Sequence, residues 1–215
     1  AQQKNTLSAM TEQTDIMMAR SISLSEDITK ELNQCLTANG KTFSDLNDNP
    51  QLIMDLESAL YPSLKSALDV KYCSGVFVVL DATVNTKTEY ADTSRMGIYL
   101  RLSDLKAVNT SKQHVVFFRG NADIARAEQV QLHNRWNLEF DTSALPGYEQ
   151  IMQFDGNRLV ESCLWTDRLE LSDTWEDVQL LYVPVLDSTG KVRGLCGMET
   201  VSYTHLRAHE TKANL

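Results

Sequence analysis

The feature that most constrains the fold is an uninterrupted helical segment near the start of the chain. Residues 5–37 contain neither glycine nor proline, and the first glycine is Gly40. This composition, with apolar and small polar side chains recurring at spacings of three and four, predicts one long helix with a weak heptad stripe. Two interpretations stay open: an amphipathic helix packed on its own domain, and a dimerising signal helix continuing from a membrane span upstream. The stripe consists of Leu7, Met10, Thr14, Met17, Ser21, Leu24, Ile28 and Cys35.

A second helix is predicted after Gly40, which suits the left-handed conformation that ends many helices. Asp48 or Asn49 can cap this helix, and Pro50 fits its first position. We expect Pro62 to bend or split it. Its apolar face contains Leu52, Ile53, Leu56, Leu60, Leu64 and Leu68.

Beyond these helices the pattern changes to that of β-strands. The sequence predicts a closing hairpin whose turn ends at Gly190. Short helices are predicted at 121–131 and 145–152. Alternating βαβ units are absent, which favours an α+β fold with an antiparallel sheet. The predicted strands are 75–80, 98–102, 115–118, 163–167, 178–185 and 192–198.

Charge and motif content exclude several classes of function. The chain has 20 Lys and Arg against 29 Asp and Glu, a net charge of -9. Such an acidic chain repels phosphate backbones, so we expect no nucleic-acid binding by this segment. The sequence contains no run of about twenty apolar residues that would span a bilayer. It also lacks a phosphate-binding glycine loop, a nucleophile elbow and a zinc-protease motif. We therefore expect no catalytic residues, no metal site, no cofactor and no enzymatic activity.

The four cysteines form no Cys-x-x-Cys pair, which argues against a zinc or thioredoxin-like site. Two disulfides are compatible with the sequence, but four separate buried thiols are favoured. The cysteines are Cys35, Cys73, Cys163 and Cys196.

The end of the chain resembles a cloning artefact. Residues 201–211 match the translation of a widely used sequencing-library adaptor, residue for residue. We therefore expect 201–215 to lie outside the fold and the gene to be interrupted near Thr200. His205 and His209 have the spacing of a helical metal pair, but they belong to this segment and are not expected to be ligands.

The segment before it resembles the end of Cache domains, the PAS-like extracytoplasmic sensors of bacterial receptors. Their pattern is an aromatic-x-Asp element, a strand ending in Pro-Val, then Asp-x-x-Gly and a Gly-Val-x-Gly strand. The chain matches it with Trp165-Thr166-Asp167, Pro184-Val185, Asp187 to Gly190, and Gly194-Leu195-Cys196-Gly197, with leucine in place of valine. The resemblance covers roughly residues 5–199. More narrowly, the chain is similar to sensor segments of membrane-bound regulators with an AraC-type DNA-binding output.

This resemblance implies a PAS-like antiparallel sheet with a long N-terminal helix. It divides the chain into a signalling helix (1–40), a sensor domain (41–200) and the adaptor segment (201–215). The implied function is extracytoplasmic sensing of an amino acid, amine or organic acid by a cell-membrane receptor. The implied partners are that small molecule, the membrane through flanking segments, and a second copy through the N-terminal helix. The alternative is a secreted or lipid-anchored ligand-binding protein.

The resemblance also suggests ligand-binding residues. In amino-acid-binding members, an Arg-x-Trp-Tyr-like element binds the carboxylate, and a downstream Tyr and Asp hold the ammonium group. Here Arg135 and Trp136 are adjacent and no tyrosine follows, while Trp165 and Asp167 occupy the downstream place. A structural role remains open for each: core packing for the tryptophans, solvent exposure for Arg135, and a strand end for Asp167. Two further candidates share a strand face that is equally compatible with exposure, Tyr99 and Arg101.

Overall fold

The computed structural model describes residues 2–103, 114–155, 158–171 and 176–201. Its α-helices are α1 (Gln2–Ala38), α2 (Pro50–Ala67), α3 (Ala122–Ala127) and α4 (Tyr148–Met152). Its strands are β1 (Cys73–Leu80), β2 (Ser94–Arg95), β3 (Gly97–Leu102), β4 (Val115–Arg119), β5 (Gln131–Asn137), β6 (Phe140–Asp141), β7 (Leu164–Trp165), β8 (Leu169–Leu171), β9 (Glu176–Leu186) and β10 (Val192–Val201). Short 3-10 helices occupy Phe43–Leu46, Thr142–Ala144 and Leu159–Ser162.

The two long helices begin and end where the sequence signals predict. Gly40 has φ of +62°, and the Lys41 amide donates to the Leu36 carbonyl at 2.9 Å, which closes the end of α1. Asn49 caps α2 by accepting a hydrogen bond from the Leu52 amide at 3.1 Å. The expectation that Pro62 splits this helix is wrong, because α2 continues through it to Ala67.

The main sheet is antiparallel except at one edge. Its strand order is β5-β4-β3-β1-β10-β9-β7, and β8 also pairs with β9. Strands β4 and β5 run parallel. The first and last of the described strands, β1 and β10, pair with each other at the centre of the sheet. This arrangement with its long leading helix confirms the predicted α+β, PAS-like fold.

The closing hairpin is confirmed in detail. Gly190 has φ of +81°, a left-handed conformation that glycine adopts without strain. The Gly190 amide donates to the Asp187 carbonyl at 3.1 Å. The Asp187 side chain also accepts from the Thr189 amide at 2.8 Å and from Arg193 Nε at 2.7 Å. These hydrogen bonds hold the pKa of Asp187 at about 2, against the opposing effect of desolvation.

The sheet separates two hydrophobic clusters because side chains alternate between its faces. We call the face covered by α1 and α2 the helix face; its central strands contribute Val76, Val78, Leu80, Ile98, Leu100, Cys196 and Met198 to the larger cluster. We call the opposite face the aromatic face. Its cluster contains Phe77, Val79, Tyr99, Phe118, Phe140, Tyr148, Ile151, Val178, Leu180, Tyr182, Leu195 and Val201.

Several short elements differ from the sequence-based expectation. The predicted strand 163–167 is reduced to β7, which ends at Trp165. The predicted helices 121–131 and 145–152 shorten to α3 and α4, and β5 begins within the first of these ranges. Short segments are held by tertiary contacts rather than by their own propensity, which explains why their bounds are poorly encoded locally. The segment 201–215 was expected to lie outside the fold, but Val201 is the buried last residue of β10, so the expectation is wrong for that residue. The rest of the segment, 202–215, lies outside the described residues.

Candidate functional site

The most distinctive chemistry of the described chain is a charged cluster buried on the aromatic face. Arg101 on β3 and Glu199 on β10 form a salt bridge, with Arg101 Nε 2.9 Å from Glu199 Oε1 and side-chain exposures of 3% and 0%. A second contact joins Arg101 Nη2 to Glu199 Oε2 at 3.2 Å. The geometry is therefore the two-pronged one that guanidinium and carboxylate groups favour.

The ion pair spans the central strand β1. Gly75 pairs in register with Arg101 on one side and with Glu199 on the other. Because Gly75 has no side chain, the two charged side chains meet above it. A Cβ at this position would lie 3.0 Å from Tyr99 Cε1 and 3.3 Å from Glu199 Cβ. The glycine therefore creates the space in which the pair forms.

Two hydroxyl groups complete the cluster. Tyr99 donates to Glu199 Oε1 through its phenolic hydroxyl. Ser74 Oγ donates to Glu199 Oε2 at 2.6 Å. Burial raises the pKa of Tyr99 well above its ordinary value, and the Glu199 carboxylate raises it further, so the phenol stays protonated as a donor. Each Glu199 oxygen thus accepts one hydroxyl and one arginine N–H group.

Aromatic rings surround this cluster. The Tyr99 ring lies 5.3 Å from Phe77 and 5.2 Å from Phe118, centroid to centroid. Tyr182 meets Phe77 edge-on at 5.8 Å. The Arg101 guanidinium carbon lies 5.7 Å from the centre of the Phe118 ring. An aromatic wall with a few converging polar groups is typical of small-molecule sites.

Arg135 and Trp136 lie at the β5 edge of the sheet. The Arg135 side chain is exposed, and its carbonyl accepts from Arg119 Nη1 at 2.9 Å. Arg119 in turn stacks on Phe118, 4.2 Å from the ring centre. Trp136 is half-buried against the helix-face cluster, and its indole N–H donates to the Gly120 carbonyl at 2.9 Å.

Trp165 and Asp167 lie near the opposite edge. Trp165 on β7 packs against the helix-face cluster, whereas Asp167 follows the strand and is exposed. The two residues therefore do not share one strand face. Strands β5 and β7 are the two ends of the strand order, about 29 Å apart at the usual strand spacing. The structure thus brings Tyr99 and Arg101 together and places the other four candidates in separate locations.

Sequence reasoning missed two buried acids. Glu199 follows a strand that was predicted to end at Met198, so its position inside β10 went unrecognised. Glu57 lies on the apolar face of α2 and is 1% exposed. A glutamate at a position where the helical spacing places apolar residues is the sequence signal that could have identified it. It accepts from the Gly97 amide at 3.2 Å and the Asn121 amide at 3.1 Å, and desolvation raises its pKa to about 8.

The cysteines are free thiols, as favoured from the sequence, although only two are buried. Burial raises the pKa of Cys73 to about 12 and raises that of Cys196 as well, so these thiols are protonated. Among the described residues, no group of three His, Cys, Asp or Glu side chains is placed to hold a metal ion. Within the same residues, no helix is both long and apolar enough to cross a bilayer.

Comparison with known proteins finds structural likeness but no matching family. No protein-family model matches the chain, and no curated protein matches it. The periplasmic sensory domain of the Campylobacter jejuni chemoreceptor Tlp1 is similar over 90% of this chain, with 12% sequence identity and a TM-score of 0.46. The chain covers 56% of that solved chain, little more than half its length.

Proposed function

We propose that this chain is the extracytoplasmic small-molecule-sensing domain of a transmembrane signal-transduction receptor. The observation that carries the proposal is the position of β10 between a polar cluster and the long helix α1. Glu199 lies in the cluster on the aromatic face, whereas Cys196 and Met198 of the same strand pack on the helix face. A change in the structure of the cluster can therefore be transmitted to α1 through β10 alone.

The contacts of α1 support this coupling. Ser25 Oγ donates to the Pro184 carbonyl of β9 at 2.6 Å, and both groups are buried. The helix-face cluster also contains four buried residues of α1: Met17, Leu24, Ile28 and Leu32. A ligand that binds one arrangement of the sheet more tightly would shift α1 toward the matching position. The shift would be limited by the difference in affinity between the two arrangements.

The cluster favours an amino acid, amine or organic acid as ligand. The Arg101 guanidinium is suited to a ligand carboxylate and the Glu199 carboxylate to an ammonium group. A ligand with either group would exchange with the internal ion pair, and the aromatic rings would enclose its apolar part.

A binding screen with matched tyrosine variants tests the proposal. The protein is screened against the common amino acids, small amines and organic acids by thermal shift, and hits are titrated by calorimetry. Tyr99→Phe removes the hydroxyl that contacts Glu199 and is expected to weaken binding about tenfold. Tyr61→Phe is the control, because Tyr61 is equally buried on the helix face and its hydroxyl has no partner among the described residues.

The outcomes are distinct. Binding by the wild type and the Tyr61 variant, with weaker binding by the Tyr99 variant, supports a sensor site on the aromatic face. If no compound in the three classes binds, the sensing function is contradicted. If a compound binds with equal affinity to both variants, the site lies elsewhere on the molecule.

We further infer that the receptor is membrane-bound and that its output is an AraC-type DNA-binding domain, as the sequence resemblance suggests. Association through α1 is part of this proposal. The first half of α1 exposes Met10 (47%) and Ile16 (41%). Light scattering should detect a dimer that Met10→Glu with Ile16→Glu converts to monomer. A monomer at all concentrations would contradict association through this helix.

A further inference from the structure

A cavity lies between the first half of α1 and the end of the sheet. It has a volume of about 230 Å³. No hydrogen bond described above joins one of its lining residues to Arg101 or Glu199. It is lined by Met10, Gln13, Thr14, Trp165, Arg168, Gln179, Thr200 and Val201.

Trp165 supplies an unsatisfied donor to the wall of this cavity. Its indole nitrogen is sealed from solvent and has no hydrogen-bond partner within the described ranges. A buried N–H group without a partner costs about 1–3 kcal/mol. The indole of Trp136, by comparison, is satisfied by the Gly120 carbonyl. A group that entered the cavity and accepted a hydrogen bond would remove this cost after a small turn of the Trp165 ring.

Arg168 supplies a positive charge at the rim. Its side chain is exposed, and no ion pair joins it to an acidic side chain in the described part of the chain. On a chain with a net charge of -9, this guanidinium is a local site for an anion. Its planar fork matches the two oxygens of a carboxylate.

The remaining polar side chains of the cavity are already engaged. Gln13 Nε2 donates to Thr200 Oγ1 at 3.2 Å, and Thr200 Oγ1 donates to the Tyr72 carbonyl at 2.9 Å. Gln179 Nε2 donates to the Thr166 carbonyl at 3.3 Å. The groups that suit an anion are the indole N–H of Trp165 and the guanidinium of Arg168, beside the apolar side chain of Met10.

From this combination we propose that the cavity binds a small carboxylate with an apolar body. The carboxylate contacts Arg168 and the Trp165 indole N–H, and the apolar part packs between α1 and the end of the sheet. Because α1 and β7 both form the walls, occupancy favours the arrangement in which they stay together. This site is separate from the aromatic-face site and does not depend on it.

Nuclear magnetic resonance of the indole N–H group tests this site directly. The full chain is labelled with nitrogen-15, and the Trp165 indole signal is assigned by its loss in Trp165→Phe. Sodium benzoate is the carboxylate probe and benzamide is the uncharged control of the same shape. Benzoate should shift the Trp165 signal downfield in a saturable manner, at ionic strength matched with sodium chloride, and benzamide should not.

Two arginine variants sharpen the test. Arg168→Gln should weaken benzoate binding about tenfold, as expected for loss of a charge-assisted hydrogen bond. Arg158→Gln is the matched control, because Arg158 is also exposed but pairs with Glu161 and lies outside the cavity. The proposal is overturned if benzoate does not shift the Trp165 signal, or if benzamide shifts it equally. It is also overturned if Arg168→Gln binds benzoate as tightly as the wild type. Tyr99→Phe should leave this titration unaffected, which separates the site from the sensor site.

Discussion

Arg101 and Glu199 are 98 positions apart in the chain and form a buried, two-pronged ion pair across Gly75. The pair fastens β3 to β10 over the central strand β1. Taking both charges out of water is costly, and the cost is offset only because the geometry is good and hydroxyl groups satisfy the remaining carboxylate positions. The pair is thus a point where a polar ligand can compete with an internal partner.

Removing one charge of this pair should be strongly destabilising. Glu199→Gln keeps the side-chain shape but removes the carboxylate that faces the buried Arg101 guanidinium, so the free energy of unfolding should fall by about 3–5 kcal/mol in urea denaturation. Arg101→Met combined with Glu199→Met removes both charges and should lose less. A loss under about 0.5 kcal/mol in the single variant, typical of surface positions, would contradict a buried pair.

Gly75→Ala should also destabilise the fold. Replacing glycine by alanine where the backbone conformation allows it normally raises the free energy of unfolding, because alanine restricts the unfolded chain. Here the added methyl group would lie 3.2 Å from the Leu100 carbonyl oxygen and 3.0 Å from the Tyr99 ring, so we expect a loss of about 1–3 kcal/mol from overpacking. A gain in the free energy of unfolding would show that the space above Gly75 is open.

Glu57 should make stability depend on pH. Desolvation raises its pKa in the folded protein from the ordinary value of 4.5 to about 8. The folded state therefore binds more protons than the unfolded state between these values, and its stability falls as pH rises from about 4.5 to about 8. Glu139 is the charged neighbour that adds to this effect, since its carboxylate also raises the pKa of Glu57.

Glu57→Gln removes this titration. Unfolding measured across the same pH window should show a smaller decline with pH in the variant than in the wild type. The variant also loses one acceptor for a backbone amide, which lowers its stability by a constant amount at all pH values. If the free energy of unfolding declined equally with pH in both proteins, titration of Glu57 would not be the cause of the decline.

Two serines one turn apart on α1 form a matched pair for testing the contact between α1 and the sheet. Ser25→Ala loses a buried hydrogen bond to Pro184 and leaves that carbonyl without this donor, so it should lower the free energy of unfolding by about 1–3 kcal/mol. Ser21 is equally buried, but its hydroxyl has no partner among the described residues. Ser21→Ala should therefore be neutral or stabilising. Equal losses in both variants would show that the hydrogen bond does not hold α1 in place.

Local sequence signals were sufficient to predict the two long helices and the closing hairpin. The absence of glycine and proline before Gly40 predicted α1, and the Asn49-Pro50 start predicted α2. The turn at Gly190 predicted the closing hairpin, because the left-handed conformation leaves little choice of residue. Pro62 does not split α2, and the buried neighbours Leu60 and Leu64 lie in the helix-face cluster on either side of it.

The candidate site could be predicted only in part. Tyr99 and Arg101 were identified as neighbours on one strand face, but their burial and their partner Glu199 depend on strand pairings between distant segments. Such pairings leave no local periodicity. Arg168 and Trp165 line one cavity for the same reason, because α1 packs on the end of the sheet.

The most direct test of the receptor assignment is the sequence of the intact gene on both sides of the codons for this chain. The account predicts a hydrophobic span of about twenty residues on each side, leading to a regulatory output domain. It also predicts that the codons for residues 201–211 are absent from genomic DNA. A secretion or lipoprotein signal upstream with a stop codon soon after Thr200, and no span, would contradict the receptor and indicate a secreted or lipid-anchored binding protein.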